Sequence, residues 1–229
     1  MTGVDSGADG VTTLPLFPLQ AVLFPDGVLP LRIFEVRYLD LIGRCHKEGA
    51  PFGVVALAQG QEVRQPRRGA DGAAEDGFAP EALHTVGTLA HITHFERPQP
   101  GLMMVRCRGG RRFRLRSSEQ LKHGLWVGQV EWLPDDPAVA VPPDLAPVRQ
   151  GLERLLQHMQ AQMGESVDGA ELPIQPPYRW DESGWLANRW CELLPVSAQI
   201  KQQFLALDNP LLRLELVGDL LERLEIGGA

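Results

Sequence analysis

Cysteine is scarce in this chain, and what little there is stands apart. Cys45, Cys107 and Cys191 are odd in number and in no CxxC spacing, so neither a disulfide framework nor a zinc site is indicated, and a reducing, cytoplasmic compartment fits. Lysine and arginine are missing before Arg32, which leaves no basic start for a signal peptide. No apolar run approaches the roughly 18 residues of a membrane span. Neither a GxxxxGK run before Ser or Thr nor a GxGxxG after a strand-like segment occurs, so nothing is offered to cradle a phosphate and ATP-driven chemistry is excluded. No period of about 20 to 50 residues repeats, which excludes a solenoid. No cofactor and no metal is expected, and the chain reads as a non-enzyme.

The 229 residues suffice for one large domain or two small ones, with roughly 70% of the unfolded surface buried on folding. Charge is unevenly placed: residues 1–135 hold 15 Lys and Arg against 15 Asp and Glu, and residues 136–229 hold 7 against 14, so the net charge of −7 belongs to the rear half. An acidic rear half disfavours unspecific contact with nucleic acid or anionic lipid.

Residues 1–12 are small, polar and Gly/Asp-rich, and are expected to be a disordered start. Leu14–Leu19 and Val22–Phe34 mix β-formers with proline around Pro25-Asp26-Gly27, which suits short edge strands joined by a tight turn. Glu35–Glu48 reads as a helix with Tyr38, Leu41, Ile42 and Cys45 on one face and basic residues in the last turn before Gly49. Phe52–Ala58 is an apolar strand, and Gln65–Leu83, without periodicity, reads as a mobile loop. Further strands are expected at Val86–Glu96, Leu102–Arg108, Arg111–Arg116 and Leu125–Leu133, with Gly109-Gly110 as a hairpin turn. The front half, residues 13–137, is thus an antiparallel, barrel-like sheet with one helix. Residues 138–229 form a helical bundle with helices at Pro147–Met163, Gly184–Leu194, Ala198–Leu207 and Pro210–Leu224. Ser197 and Asn209 are natural N-caps, and Leu172–Trp180 is a proline-stiffened connector that lies across the sheet. The fold class is α+β.

Residues with chemical potential have competing uses. His91 and His94 are three apart on a strand and face opposite sides, so they share no metal unless the strand bulges. Ser197 and Lys201 resemble a nucleophile pair, but Ser197 is better placed as a cap, with Lys201 solvated. Arg106, Arg108, Arg112, Arg114 and Arg116 alternate along the expected hairpin and form a cationic stripe. Such a stripe suits RNA phosphates or, with no aromatic residues interleaved, a solvated face paired with the acidic rear half.

Leu14–Ile42, with its LPLFPL and LPLRIFEVRY runs, resembles the LON substrate-binding domain, as do FGVV (Phe52–Val55), VGTLAHI (Val86–Ile92), RCRGGRRFRL (Arg106–Leu115) and GLWVGQVEWLPDDP (Gly124–Pro137). The likeness extends to Val217. It departs at Gln20 and at Val36, where proline is usual. The resemblance implies a PUA-like β-barrel followed by a helical bundle, and a part that engages polypeptide substrates while other domains of Lon proteases hydrolyse ATP and cut peptides. It brings no catalytic residues. Leu29, Leu31, Phe34, Tyr38 and Leu39 are expected in core and turn, with Arg32, Glu35 and Arg37 pairing to fix the turn into the helix.

The resulting expectation is a polypeptide-binding module whose apolar groove lies between barrel and bundle, lined by Trp126, Trp132, Tyr178, Trp180 and Trp185. The alternative is RNA binding by the five arginines, with a log–log salt slope of about −3.5.

Overall fold

The strands are β1 (Val11–Leu19), β2 (Val28–Ile33), β3 (Phe52–Gln59), β4 (Pro66–Arg68), β5 (Ala74–Phe78), β6 (Ala82–Gln99), β7 (Leu102–Gln120) and β8 (Trp126–Trp132). The helices are α1 (Val36–Glu48), α2 (Ala146–Met163), α3 (Ser183–Leu193), α4 (Ala198–Ala206) and α5 (Pro210–Arg223), with a 3₁₀ turn at Pro143–Leu145. They are seen in a computed structural model that describes residues 10–62, 66–68, 74–78, 80–163 and 172–226.

Six strands form one sheet in the order β2-β7-β6-β3-β1-β8, and β8 pairs again with β7. Pairing therefore runs from β7 through β6, β3, β1 and β8 and returns to β7. The expected all-antiparallel pairing needs one correction, because β1 runs parallel to β3, with Leu16–Leu19 beside Gly53–Ala56. The excursion through β2 and α1 provides the long crossover that a parallel pair requires. β1 is also no edge strand. It tolerates two prolines because Pro15 lies in the stretch paired with β8 and Pro18 in the stretch paired with β3, so a missing N–H need not break a ladder bond at either position.

The Gly109-Gly110 hairpin is not formed. β7 continues through both glycines for 19 residues, and the turn of the β6–β7 hairpin lies instead between Gln99 and Leu102. Close approach explains the pair: a Cβ on Gly109 would stand 2.0 Å from the Phe24 carbonyl oxygen, and one on Gly110 2.9 Å from His91 Nε2. The ladder with β6 shifts register between Thr88 and Ala90, opposite Arg112 and Gly109, and such an irregularity changes which face the following residues present.

Two further boundaries move. β1 starts at Val11, paired with Glu131, so order begins before residue 13, while residues 1–9 lie outside the described residues. Within the expected loop 65–83, Pro66–Arg68 and Ala74–Phe78 pair as β4 and β5, and Ala82 and Leu83 already belong to β6. Residues 65, 69–73 and 79 lie outside the described residues.

The helices follow their sequence signals closely. α1 buries Tyr38, Leu41, Ile42 and Cys45, and Gly49, at φ 64, closes it by donating to the Cys45 and His46 carbonyls. Ser197 accepts from Ile200 N, and Asn209 accepts from Leu211 N and Leu212 N. α3 differs from an amphipathic surface helix, since every residue from Ser183 to Cys191 is buried.

Apolar side chains gather in three clusters. One, with Phe17, Tyr38 and Phe52, lies between sheet and α1; a second, around Leu16, Phe113 and Val130, joins β1, β3, β7 and β8. The third unites the helices with Phe24, Val86 and Leu133 of the front half. The two halves thus share a core.

Candidate functional site

The β2–α1 corner is held from below and left apolar above. Arg37, with only 5% of its side chain exposed, donates from Nε to Glu35 Oε2 at 3.1 Å, from Nη1 to the Gly124 carbonyl at 2.9 Å and from Nη2 to the Glu62 carbonyl at 3.2 Å. Its guanidinium lies 4.4 Å from the Tyr38 ring centroid. The expected Glu35–Arg37 pair is therefore present, while Arg32 forms no ion pair with either among the described residues. The expectation that Phe34 belongs to the core fails: Phe34 is 55% exposed and Val36 74%. Neither Phe34 nor Val36 belongs to any of the three apolar clusters.

Beside this corner lies a cavity of about 310 Å³ between the end of β1, β2 and the start of α1, with Phe17, Leu19, Leu29, Leu31, Phe34 and Tyr38 on its walls. β2 forms one border of the sheet, pairing with β7 alone. Pro30 sits on this border strand and blunts it against simple strand addition, so side-chain capture suits the pocket better than a continued ladder.

Further along α1 a wider concavity of about 750 Å³ opens between the helix and the β6–β7 turn. Leu39, Leu102 and Met103 supply apolar walls, and Arg44, Lys47 and Arg97 supply charge, with Asp40 as an acid among them.

The junction of the two halves combines an apolar core with buried ionic contacts, and its cavity of about 310 Å³ has a mixed lining that includes Arg112, Asp136, Arg179 and Trp185 where an apolar groove was expected. Arg112 and Arg213 are 3% and 1% exposed and converge on Asp136, with Arg213 Nη1 2.6 Å from Oδ2 and Arg112 Nη2 3.3 Å from Oδ1. Arg112 Nη1 also donates to the carbonyls of Leu205 and Leu207, and Arg213 Nη1 to Asn188 Oδ1. Burial and the neighbouring Arg213 pull the Arg112 pKa down, while Asp136 and Asp208 pull it up. A second lock holds the Pro25-Asp26-Gly27 turn: Arg189 donates to the Pro25 carbonyl at 2.6 Å and pairs with Glu192 at 2.7 Å, and Arg108 and Arg179 both pair with Asp26. Burial pushes the Glu192 carboxyl up to about 8, against the opposing pull of Arg189 and Lys201.

The five aromatic residues do not share a surface. Tyr178, Trp180 and Trp185 pack on one another, with the Trp180 and Trp185 centroids 5.2 Å apart, and Trp185 is buried in the shared core. Trp126 and Trp132 belong to the cluster of β1, β3, β7 and β8, where Trp126 Nε1 donates to Glu81 Oε2 at 2.7 Å and Trp132 Nε1 to Thr12 Oγ1 at 3.2 Å. The arginines form no open stripe either. Arg112 is buried at the junction, Arg108 and Arg116 pair with Asp26 and Glu131, and Arg106 has a partner of its own; Arg114, half-buried, lies opposite Val86 in the ladder.

The remaining candidates have structural uses. Lys201 Nζ donates to the Glu192 backbone carbonyl at 2.9 Å, so it is not a solvated side chain, and burial lowers its pKa. Ser197 Oγ is occupied as the α4 cap. His94 Nε2 lies 2.9 Å from Glu96 Oε1. Burial raises the thiols of Cys45, Cys107 and Cys191 to about 11, 12 and 12, which makes them poor nucleophiles. Among the described residues no helix is long and apolar enough to cross a membrane.

Sequence reading missed the exposure of Phe34, whereas Val36, read as altering the surface beside the helix start, is exposed.

Comparison with known proteins gives a consistent answer. A search of curated proteins returned no match. The model of the ATP-dependent protease La (LON) substrate-binding domain matches residues 13–223. Among solved structures, the Lon N-terminal domain protein from Xanthomonas campestris is 30% identical, with 91% of this chain and 98% of that one covered at a TM-score of 0.65. The N-terminal domain of Mycobacterium avium complex Lon protease is 16% identical, with 90% and 96% covered at a TM-score of 0.54, a likeness of fold. The chain therefore belongs to the LON substrate-binding domain family.

Proposed function

We propose that the protein is a non-catalytic polypeptide-binding module that captures apolar side chains of an extended or unfolded segment at the β2–α1 corner. One observation carries this reading: Phe34 and Val36 are exposed on a corner that Arg37 ties to the Gly124 carbonyl, beside a cavity whose lining is mostly apolar, with Arg32, Glu35 and Glu62 as its charged members. Exposed aromatic anchors on a fixed scaffold are what a binding surface needs, because little is lost in ordering them. The family's description as substrate-binding supports the same role. We read the closed run of strand pairing as a PUA-like barrel and the helices as a bundle fastened to it, with the buried ionic junction as fastening. The buried free thiols favour a reducing, cytoplasmic setting.

The test is a fluorescence-anisotropy titration of labelled, reduced and alkylated lactalbumin, a permanently unfolded polypeptide. Phe34→Ser is expected to weaken binding about tenfold or more, the scale of losing one buried aromatic anchor, with little change in melting temperature because the side chain is mostly exposed. Unchanged binding by Phe34→Ser, with loss on replacing Tyr178 or Trp180, would move the site to the junction.

A further inference from the structure

The concavity beside α1 combines features that the apolar corner lacks. Arg44, Lys47 and Arg97 line it, all three are exposed, and among the described residues none of them forms an ion pair with a carboxylate. Arg32, Arg114 and Lys122 likewise show no ion pair among the described residues, but Arg44, Lys47 and Arg97 are gathered in one concavity of a chain whose net charge is −7. Asp40 is the acid in the lining, so the groove is cationic on balance. Leu39, Leu102 and Met103 keep part of it apolar. Gly43 keeps it open: a Cβ there would stand 3.2 Å from Arg97 Nη2 and 3.6 Å from Met103 Cε.

The groove and the apolar pocket share no lining residue but have neighbouring ones. Tyr38 borders the pocket and Leu39 the groove, and Ile33 of the pocket is paired across the ladder with Met103 of the groove. At ~1.5 Å per helical residue, Arg44 lies about 9 Å and Lys47 about 14 Å beyond Tyr38 along α1. An extended chain covers that distance in about three to four residues at ~3.3 Å each.

We propose that the two concavities form one bipartite site for acid-flanked apolar polypeptide segments. An apolar side chain enters the pocket beside Phe34, and Asp or Glu about three to four residues away lies against Arg44, Lys47 and Arg97. This rests on the polypeptide-binding reading and adds the class of segment selected. The carboxylates contribute through charge complementarity, so they add selectivity and salt dependence to an affinity set mainly by the apolar anchor.

The test uses two fluorescein-labelled twelve-residue peptides that share a Leu-Phe anchor and a short Gly/Ser spacer, one followed by two glutamates and the other by two glutamines. At low salt the glutamate peptide is expected to bind about tenfold more tightly. That advantage disappears in 0.5 M salt and in the Arg44→Gln/Lys47→Gln double variant, for which the two peptides bind alike. Both substitutions are at exposed positions, and a thermal melt checks that the double variant is folded. Equal binding of the two peptides overturns the inference and leaves the polypeptide-binding reading intact, whereas binding of neither defeats both. Tighter binding of a twelve-nucleotide RNA than of the glutamate peptide, or concentration-dependent self-association abolished by the double variant in sedimentation velocity, would assign the cationic groove to another occupant and equally overturn the inference.

Discussion

Glu192 shows how a residue that looks ordinary in sequence becomes unusual by position. Its carboxyl packs so closely on the Pro25-Asp26-Gly27 turn that a Cβ on Gly27 would stand 2.0 Å from Oε1. Burial holds its pKa near 8, above the ordinary 4.5. The folded state then keeps a proton that the unfolded chain has released, so between about pH 4.5 and 8 the folded state binds more protons and stability falls as pH rises. Glu192→Gln cannot ionise and escapes this loss. Urea unfolding at pH 5 and pH 8 should show the unaltered protein losing about 1 kcal/mol or more relative to the variant; a constant difference between the two would contradict the assignment. Nothing in the run Trp190-Cys191-Glu192 announces this. Arg112, Arg189 and Arg213 were hidden in the same way, since a charged residue is read as exposed until its partner is known, and Asp136 is 77 residues from Arg213 in sequence. The aromatic residues misled in the opposite direction: their number suggested a surface, yet Trp126, Trp132 and Trp185 are spent on packing and on hydrogen bonds.

Elements were legible where local chemistry decides them. α1, α4 and α5 lie within a residue of the positions set by Gly49, Ser197 and Asn209, because caps act over a single turn. β7 was misread because Gly-Gly has two meanings: it permits a tight turn, and it permits two backbones to touch. The second applies, and it is testable. In Gly109→Ala the new methyl meets the Phe24 carbonyl, which is backbone and can move aside only by shifting its turn. A loss of about 1–3 kcal/mol in urea unfolding is expected, the range typical of overpacking; a hairpin turn at this position would tolerate alanine at much lower cost. The parallel β1–β3 pair was equally invisible, since strand direction is set by the route of the chain through β2 and α1 and not by side-chain alternation.

At the scale of the whole molecule, front sheet and rear helices are fastened through both apolar and ionic contacts. Phe24, Val86 and Leu133 enter the helical cluster, and Arg112, Arg213 and Asp136 close the seam. The seam keeps a cavity of about 310 Å³ whose lining includes Arg112, Asp136, Arg179 and Trp185, and parting the buried ion pairs around it would strand charges at a cost of several kcal/mol. The surface we propose for recognition is the β2–α1 corner, where Phe34 and Val36 are exposed beside the apolar pocket. That corner was hard to read because the same PLRIFEVRY run that marks the family also builds the local core: Leu31, Ile33 and Tyr38 go inward, and alternation alone does not say which apolar residue is left out. The most direct test is hydrogen–deuterium exchange of the full chain with and without excess unfolded lactalbumin. Backbone amides over residues 28–39 and 97–103 should gain protection while those over 178–190 remain unchanged; protection confined to 178–190, or absent throughout, would contradict the account.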